Sequence, residues 1–226
     1  MIELRNVSKV YGEGARKVTA LNNVSLKIKK GEMAIIMGPS GSGKSTMLHV
    51  LGSLIRPTEG EVLIDGRALG KCSNDELTIM RRRAIGFIFQ FFNLMPNLTA
   101  EENVALPLLL DGKRMGEVKG KAKELLTLVG LSHRFGHKPE ELSGGEMQRV
   151  SIARALASDP PVILADEPTG NLDTKAGSEV MGLLKMTSEK FGKTIVVVSH
   201  DPAAAAYGSR KIAVRDGEIQ PGNQIQ

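Results

Sequence analysis

A continuous apolar run, Met33-Ala34-Ile35-Ile36-Met37, passes directly into Gly38-Pro39-Ser40-Gly41-Ser42-Gly43-Lys44-Ser45-Thr46, and helical spacing begins at once, over residues 45–55. A short apolar run before such a loop reads as a buried strand. Strand, glycine loop and helix in that order form a narrow architectural choice. The small residues let several backbone N–H groups point at one phosphate, and the helix N-terminus adds the positive end of its dipole. The segment fits the P-loop pattern, in which Lys44 reaches the β- and γ-phosphates of a nucleoside triphosphate and Ser45 places its hydroxyl on Mg²⁺. Gly38, Gly41 and Gly43 permit the close approach and the unusual dihedrals. The pattern fixes four positions, so a chance match in a chain of this length occurs on the order of once in a hundred. Gly41-Ser42-Gly43 also opens a dinucleotide fingerprint, but Thr46 stands where its third glycine belongs.

The rest of the chain alternates strand and helix. Period-two apolar patterning at residues 2–7 and 24–28 predicts half-buried strands, and residues 60–64 and 85–89 add two more. Helical spacing covers residues 75–83. From about 91 to 161 it dominates, at residues 100–110, 118–129 and 146–158. Apolar β-branched runs at 162–165 and 194–199 flank a predicted helix at 175–190, and residues 211–214 form a last strand before a loose tail at 220–226. This order predicts an α/β fold with a largely parallel sheet, interrupted by an inserted helical subdomain.

Two further segments narrow the reading. Leu142-Ser143-Gly144-Gly145-Glu146 is a second small-residue anion cradle before a helix; an ordinary serine N-cap is the bland alternative. Val162-Ile163-Leu164-Ala165-Asp166-Glu167 is a buried strand ending in two acids, which resembles a Walker B motif. In such a motif Asp166 holds Mg²⁺ and Glu167 polarises the attacking water. With the P-loop, these segments resemble the nucleotide-binding domain of ABC (ATP-binding cassette) ATPases from Ile2 to about Gly217.

The resemblance implies a P-loop NTPase core with a mixed, largely parallel sheet, an N-terminal antiparallel β subdomain and a helical subdomain near 91–161, in one domain spanning 1–226. It implies ATP and Mg²⁺ as cofactors and ATP hydrolysis as the activity. Gln90 matches the Q-loop glutamine that senses Mg²⁺ and γ-phosphate, and His200 matches the switch histidine that bonds the γ-phosphate. Asp173 matches the D-loop along the partner subunit, and Tyr11 the aromatic residue that stacks on adenine. Ser143, Gly144, Gly145 and Glu146 are expected to complete the site of a second copy in a head-to-tail dimer. The family's commonest form has glutamine at the position of Glu146. The stretch from Phe89 to Val104 is similar to the branch serving lipoprotein release and macrolide-type export, which implies a separate integral-membrane permease. Phe91, Phe92, Leu94 and Met95 are then expected to seat a permease helix.

Composition is consistent with that picture. No apolar run approaches the ~20 residues of a membrane helix, and Met1-Ile2-Glu3-Leu4-Arg5 does not read as a signal peptide. A single cysteine, Cys72, fits a reducing cytosol, and the expected location is the cytoplasmic face of the membrane, through the permease. The net charge of +5 permits nucleic acid as a neighbour. Arg81-Arg82-Arg83 has no interleaved aromatics, however, and the chain has no Trp, so no nucleic-acid partner is expected. His133 and His137 are four apart, but Gly136 interrupts any shared helical face, and His49 reads as packing. A regulatory ATPase acting on a membrane partner would share nearly all these features. A soluble repair or translation ATPase would add tandem cassettes, coiled coils or zinc motifs, and a simple P-loop kinase would not explain residues 142–146.

Overall fold

The computed structural model describes residues 1–220, apart from the side chain of Ala15. Strands β1 (Ile2–Tyr11) and β2 (Val18–Ile28) pair antiparallel. Strand β3 (Met33–Met37) leads through the glycine loop into helix α1 (Lys44–Leu51). Strands β4 (Glu59–Ile64) and β5 (Arg67–Ala68) complete an antiparallel sheet ordered β2-β1-β4-β5. Helix α2 (Asn74–Ala84) and strand β6 (Ile85–Ile88) follow. Helices α3 (Ala100–Leu110), α4 (Met115–Leu128) and α5 (Gly144–Leu156) come before β7 (Val162–Asp166). Helix α6 (Thr174–Phe191), β8 (Thr194–Ser199), β9 (Arg210–Arg215) and β10 (Glu218–Ile219) complete the described chain.

The second sheet runs β10-β9-β3-β8-β7-β6, parallel throughout except for the β9–β10 pair. Strands β6 and β7 are neighbours, so the three helices between them are an insertion into the core. Strand alternation divides the interior in two. Ala34 and Ile36 face the cluster built from the antiparallel sheet and α1. Met33 and Ile35 face the cluster built from α3 to α6. Both faces of β3 are therefore dry, which is why its sequence is continuously apolar. Each large side chain buried here contributes about 1.5–3 kcal/mol.

Local sequence explains where elements begin and where expectation differed. Thr99 with Glu102 and Ser143 with Glu146 form reciprocal capping boxes that start α3 and α5. Strands β1 and β2 extend well beyond the expected 2–7 and 24–28. Bulges interrupt their pairing, and Asn6 and Asn23 take left-handed φ of 48° and 47°, which breaks the alternation without ending the strands. The helix expected over 45–55 stops at Leu51, with Ser53 left-handed just after it. Strands β5 and β10, two residues each, are too short to show a period. Of the expected tail, Gln220 donates its N–H to Ala213 O at 2.9 Å, and residues 221–226 lie outside the described residues.

Register then places the chemistry. Met37 aligns with Ser199, Asp166 with Val198, and Ile88 with Ala165. The carboxyl ends of β3, β8, β7 and β6 are thus level, and the segments that follow them open at one edge of the sheet. That edge is where ligands bind in open α/β sheets.

Candidate functional site

A cleft of about 720 Å³ lies at this edge. Pro39, Ser40, Gly41, Gly43, Lys44, Ser45, Thr46, Gln90, Glu167 and His200 line it, with Val18, Thr19 and Ala20 from β2. The glycine loop is shaped by need. Gly43 has φ +97°, and a Cβ there would lie 2.2 Å from Ala20 O, so only glycine fits. Gly38 and Ser42 complete the loop beneath the lining, with Ser42 almost fully buried.

Lys44 is 6% exposed, and its Nζ donates to Gly38 O at 2.8 Å and to Pro39 O at 2.9 Å. Among the described residues no carboxylate pairs with it. A buried cation held only by carbonyls fits a phosphate chain, which supplies the missing negative charge. Ser45 Oγ donates to Asp166 Oδ1 at 2.9 Å. A hydroxyl and a carboxylate side by side are hard oxygen donors, the set that suits a small divalent cation. His49, one turn along α1, brings Nε2 to 3.6 Å from Asp166 Oδ2, so its place is beside the site as well as in the helix packing.

Glu167 follows β7 with φ 46°, and its Oε2 lies 2.9 Å from His200 Nδ1. Gln90 accepts a bond at its backbone O from Asn171 Nδ2 at 3.0 Å. A Cβ on Gly170 would stand 2.8 Å from Gln90 Nε2, so the glycine lets the two loops close on each other. Tyr11 does not line the cleft. It ends β1 opposite Val18, which does, with Lys9 Nζ 5.1 Å from its ring centroid.

Ser143, Gly144, Gly145, Glu146 and Asp173 are likewise outside the cleft, gathered in a second place. A Cβ on Gly144 would be 3.5 Å from Leu172 Cδ2, and one on Gly145 would be 3.1 Å from Ala176 Cβ. Asp173 caps α6 by accepting from Ala176 N at 2.9 Å. Ser143 is exposed at the start of α5, where the first N–H groups of a helix have no intrahelical partner. The Ser143 backbone N–H above all, with the Arg134 guanidinium, holds the Glu146 carboxyl below the ordinary carboxylate range. Arg134 Nε is 3.0 Å from Glu146 Oε1, so the acid that replaces the family's usual glutamine is neutralised.

The four apolar residues of the loop after Gln90 are unevenly exposed. Phe91 is 72% exposed and Met95 47%, but Leu94 packs against the core cluster and Phe92 is half-buried. Three residues that sequence reasoning passed over hold this loop and its neighbour. Asn103, fully buried, accepts from Met95 N and donates to Met95 O, Leu98 O and Thr99 O. Arg154 donates to Phe92 O at 2.7 Å and to Asn93 O, and burial lowers its pKa. Gln148, also fully buried, reaches Phe89 O and Pro168 O. A polar side chain at an apolar helical position was the available signal for Asn103 and Gln148; Arg154 offered none. His137 Nε2 lies 3.0 Å from the Arg134 guanidinium. Among the described residues no helix is long and apolar enough to cross a membrane.

Fold and site together define the class: a P-loop ATPase, with its glycine loop, strand-end acid and inserted helices in one arrangement. Within that class the chain belongs to the ABC transporter family, whose model matches residues 21–170. It is 55% identical over 230 residues to MJ0796, an uncharacterized ABC transporter ATP-binding protein of Methanocaldococcus jannaschii, covering 100% of this chain and 98% of that one. An uncharacterized ABC transporter ATP-binding protein of Thermotoga maritima is 53% identical over 220 residues, covering 97% and 94%. Among solved structures, the dimeric post-hydrolysis state of the ATP-binding cassette MJ0796 bound to ADP and Pi superposes with a TM-score of 0.92 at 50% identity. That match covers 100% of this chain and 99% of the other.

Proposed function

We propose that this chain is the ATP-hydrolysing subunit of a membrane transporter, acting as a head-to-tail dimer on the cytoplasmic face. Each copy offers the cleft of one and the Ser143 cradle of the other to a shared ATP. The observation that carries this reading is the separation of two anion-binding elements in one chain. The glycine loop lines the cleft, whereas the exposed start of α5 lies outside it, where Ser143 caps its own helix and among the described residues touches no part of the cleft lining. The MJ0796 cassette is dimeric in its solved structures, one of them bound to ADP and Pi, which supports a nucleotide-binding dimer here.

Within the site, Lys44 opposes the phosphate charge, and the glycine loop with the start of α1 gives N–H groups to the phosphate oxygens. Ser45 and Asp166, with Gln90, would hold Mg²⁺, which would supply positive charge to offset that of the phosphates. Glu167 orients the attacking water and takes its proton, and His200 fixes the carboxylate through the 2.9 Å contact. Tyr11 and Val18 border the place for the base. Asp173 faces the second copy, and residues 1–226 act as one domain. Replacing Lys44 with Ala removes a charge-assisted contact and should weaken ATP binding about ten- to hundredfold by calorimetric titration, at 1.5–3 kcal/mol for such a bond. Unchanged affinity would remove Lys44 from the phosphate site.

The separate membrane partner is supported by the ordered apolar loop that leaves Phe91 and Met95 in solvent. Similarity of residues 89–104 to the lipoprotein-release and macrolide-export branch favours mechanical work on a permease, which sets the cargo. Phe91→Asp or Met95→Asp should keep ATP affinity and melting temperature and reduce permease-stimulated turnover roughly tenfold or more, as loss of an interface anchor does. Variants that bind the co-purifying permease and couple normally would move the docking surface elsewhere.

A further inference from the structure

We infer that Gln148 is a positioning residue for hydrolysis, fixing from inside the molecule the turn that presents Glu167. The inference rests on the proposed role of Glu167 as the group that orients the attacking water. Gln148 lies on α5 and is fully buried. Its Nε2 donates to Pro168 O at 2.7 Å and sits 3.4 Å from Phe89 O. Those two carbonyls belong to the residue directly after Glu167 and the residue directly before Gln90. Among the described residues no group hydrogen-bonds its buried Oε1. An unpaired buried amide oxygen costs about 1–3 kcal/mol, and methionine would fill nearly the same space without that penalty. Packing therefore does not account for a glutamine here; the donated bonds do.

Glu167 needs such support. Its φ of 46° is left-handed, a conformation that costs a residue with a side chain about 1–3 kcal/mol and persists only where its surroundings enforce it. Glu167 N donates to Val198 O and Gly170 N donates to Glu167 O, both at 3.0 Å, which fixes the two ends of the turn. Between them Pro168 has no N–H, so its carbonyl is the only backbone handle that residue offers, and Gln148 holds it. Slippage of a reacting group by about 1 Å can cost 10²-fold in rate. Arg154, from the same helix, holds Phe92 O and Asn93 O on the far side of Gln90, where φ is 61° and 50°. The helix that begins at the Ser143 cradle is thus bonded to the backbone beside its own chain's Glu167 and Gln90.

Steady-state ATPase measurements on the full chain test this with Gln148→Met, which keeps length and removes the donors. The expected result is a kcat lowered about tenfold or more, a KM for MgATP within about twofold of the parent and a melting temperature lowered by a few degrees at most, because relief of the buried Oε1 offsets the unpaired Pro168 carbonyl. Placed on Glu167→Gln, the same substitution should lower the residual rate no further, because a residue acting through Glu167 has nothing left to position. Gln148→Asn keeps the amide but withdraws it by one methylene, so it should reproduce both results, and it carries the test if the methionine variant does not fold. An unchanged kcat, a rise in KM alone, or the same fold-loss in both backgrounds would overturn the inference. Failure of the underlying assignment would show separately, as normal turnover by Glu167→Gln alone.

Discussion

Glu167→Gln is expected to bind ATP with near-parental affinity and to hydrolyse it at least about 10²-fold more slowly, within the range for loss of a general base. The substitution keeps the shape of the side chain, and it leaves the glycine loop, Lys44 and the Ser45–Asp166 pair untouched. The amide still meets His200 across the 2.9 Å contact, so the local geometry survives while the proton acceptor is lost. Binding and turnover should therefore separate, and equilibrium titration beside a phosphate-release assay reads both. Turnover at the parental rate would place the base elsewhere in the cleft.

Ser143→Arg is expected to abolish ATP-dependent dimerisation while leaving ATP binding to the single copy intact. The side chain would project from the exposed start of α5 into the space where the partner's phosphate must enter. The cleft of the same copy does not include Ser143 and should be undisturbed. An increase in the dimer dissociation constant of at least about 10²-fold is appropriate for a central contact. Ser143 also caps α5, and loss of that cap costs about 1 kcal/mol. Ser143→Ala, which loses the cap and the hydroxyl without adding bulk or charge, is the proper control. Sedimentation in the Glu167→Gln background, where ATP persists, is the decisive comparison. An undiminished ATP dimer there would contradict the shared site.

Much of this site was legible because its chemistry is local. Residues 38–46 and 142–146 must be small, must turn and must open a helix, and those demands are written in consecutive positions. The strand-end acids were legible for the same reason. Elements that depend on distant partners were not. Val18, Thr19 and Ala20 line the cleft only because β2 crosses beneath the glycine loop, where Ala20 O approaches Gly43. Phe92 and Leu94 looked equivalent to Phe91 and Met95 in the sequence, yet the folded loop, its backbone bonded by Arg154 and Asn103, leaves Phe91 and Met95 exposed and packs Leu94 on the core. The bulges at Asn6 and Asn23 disguised two long strands as short ones, since a shifted register reads as the end of alternation.

The setting of Lys44 links two quantities usually treated apart. Its ammonium group is largely withdrawn from bulk water when the chain folds, and two carbonyl oxygens bond it without supplying an opposite charge. Part of the cost of desolvating the cation is therefore met during folding, before any nucleotide arrives. In the proposed role, a phosphate entering the loop would meet a cation already partly desolvated and already held in place, so more of the electrostatic gain would appear as affinity. The same arrangement leaves the unliganded protein less stable than its apolar core alone would make it, and an anion bound to the folded state restores that stability by mass action. On the proposed role of Lys44, nucleotide recognition and resistance to unfolding would be two readings of one buried charge.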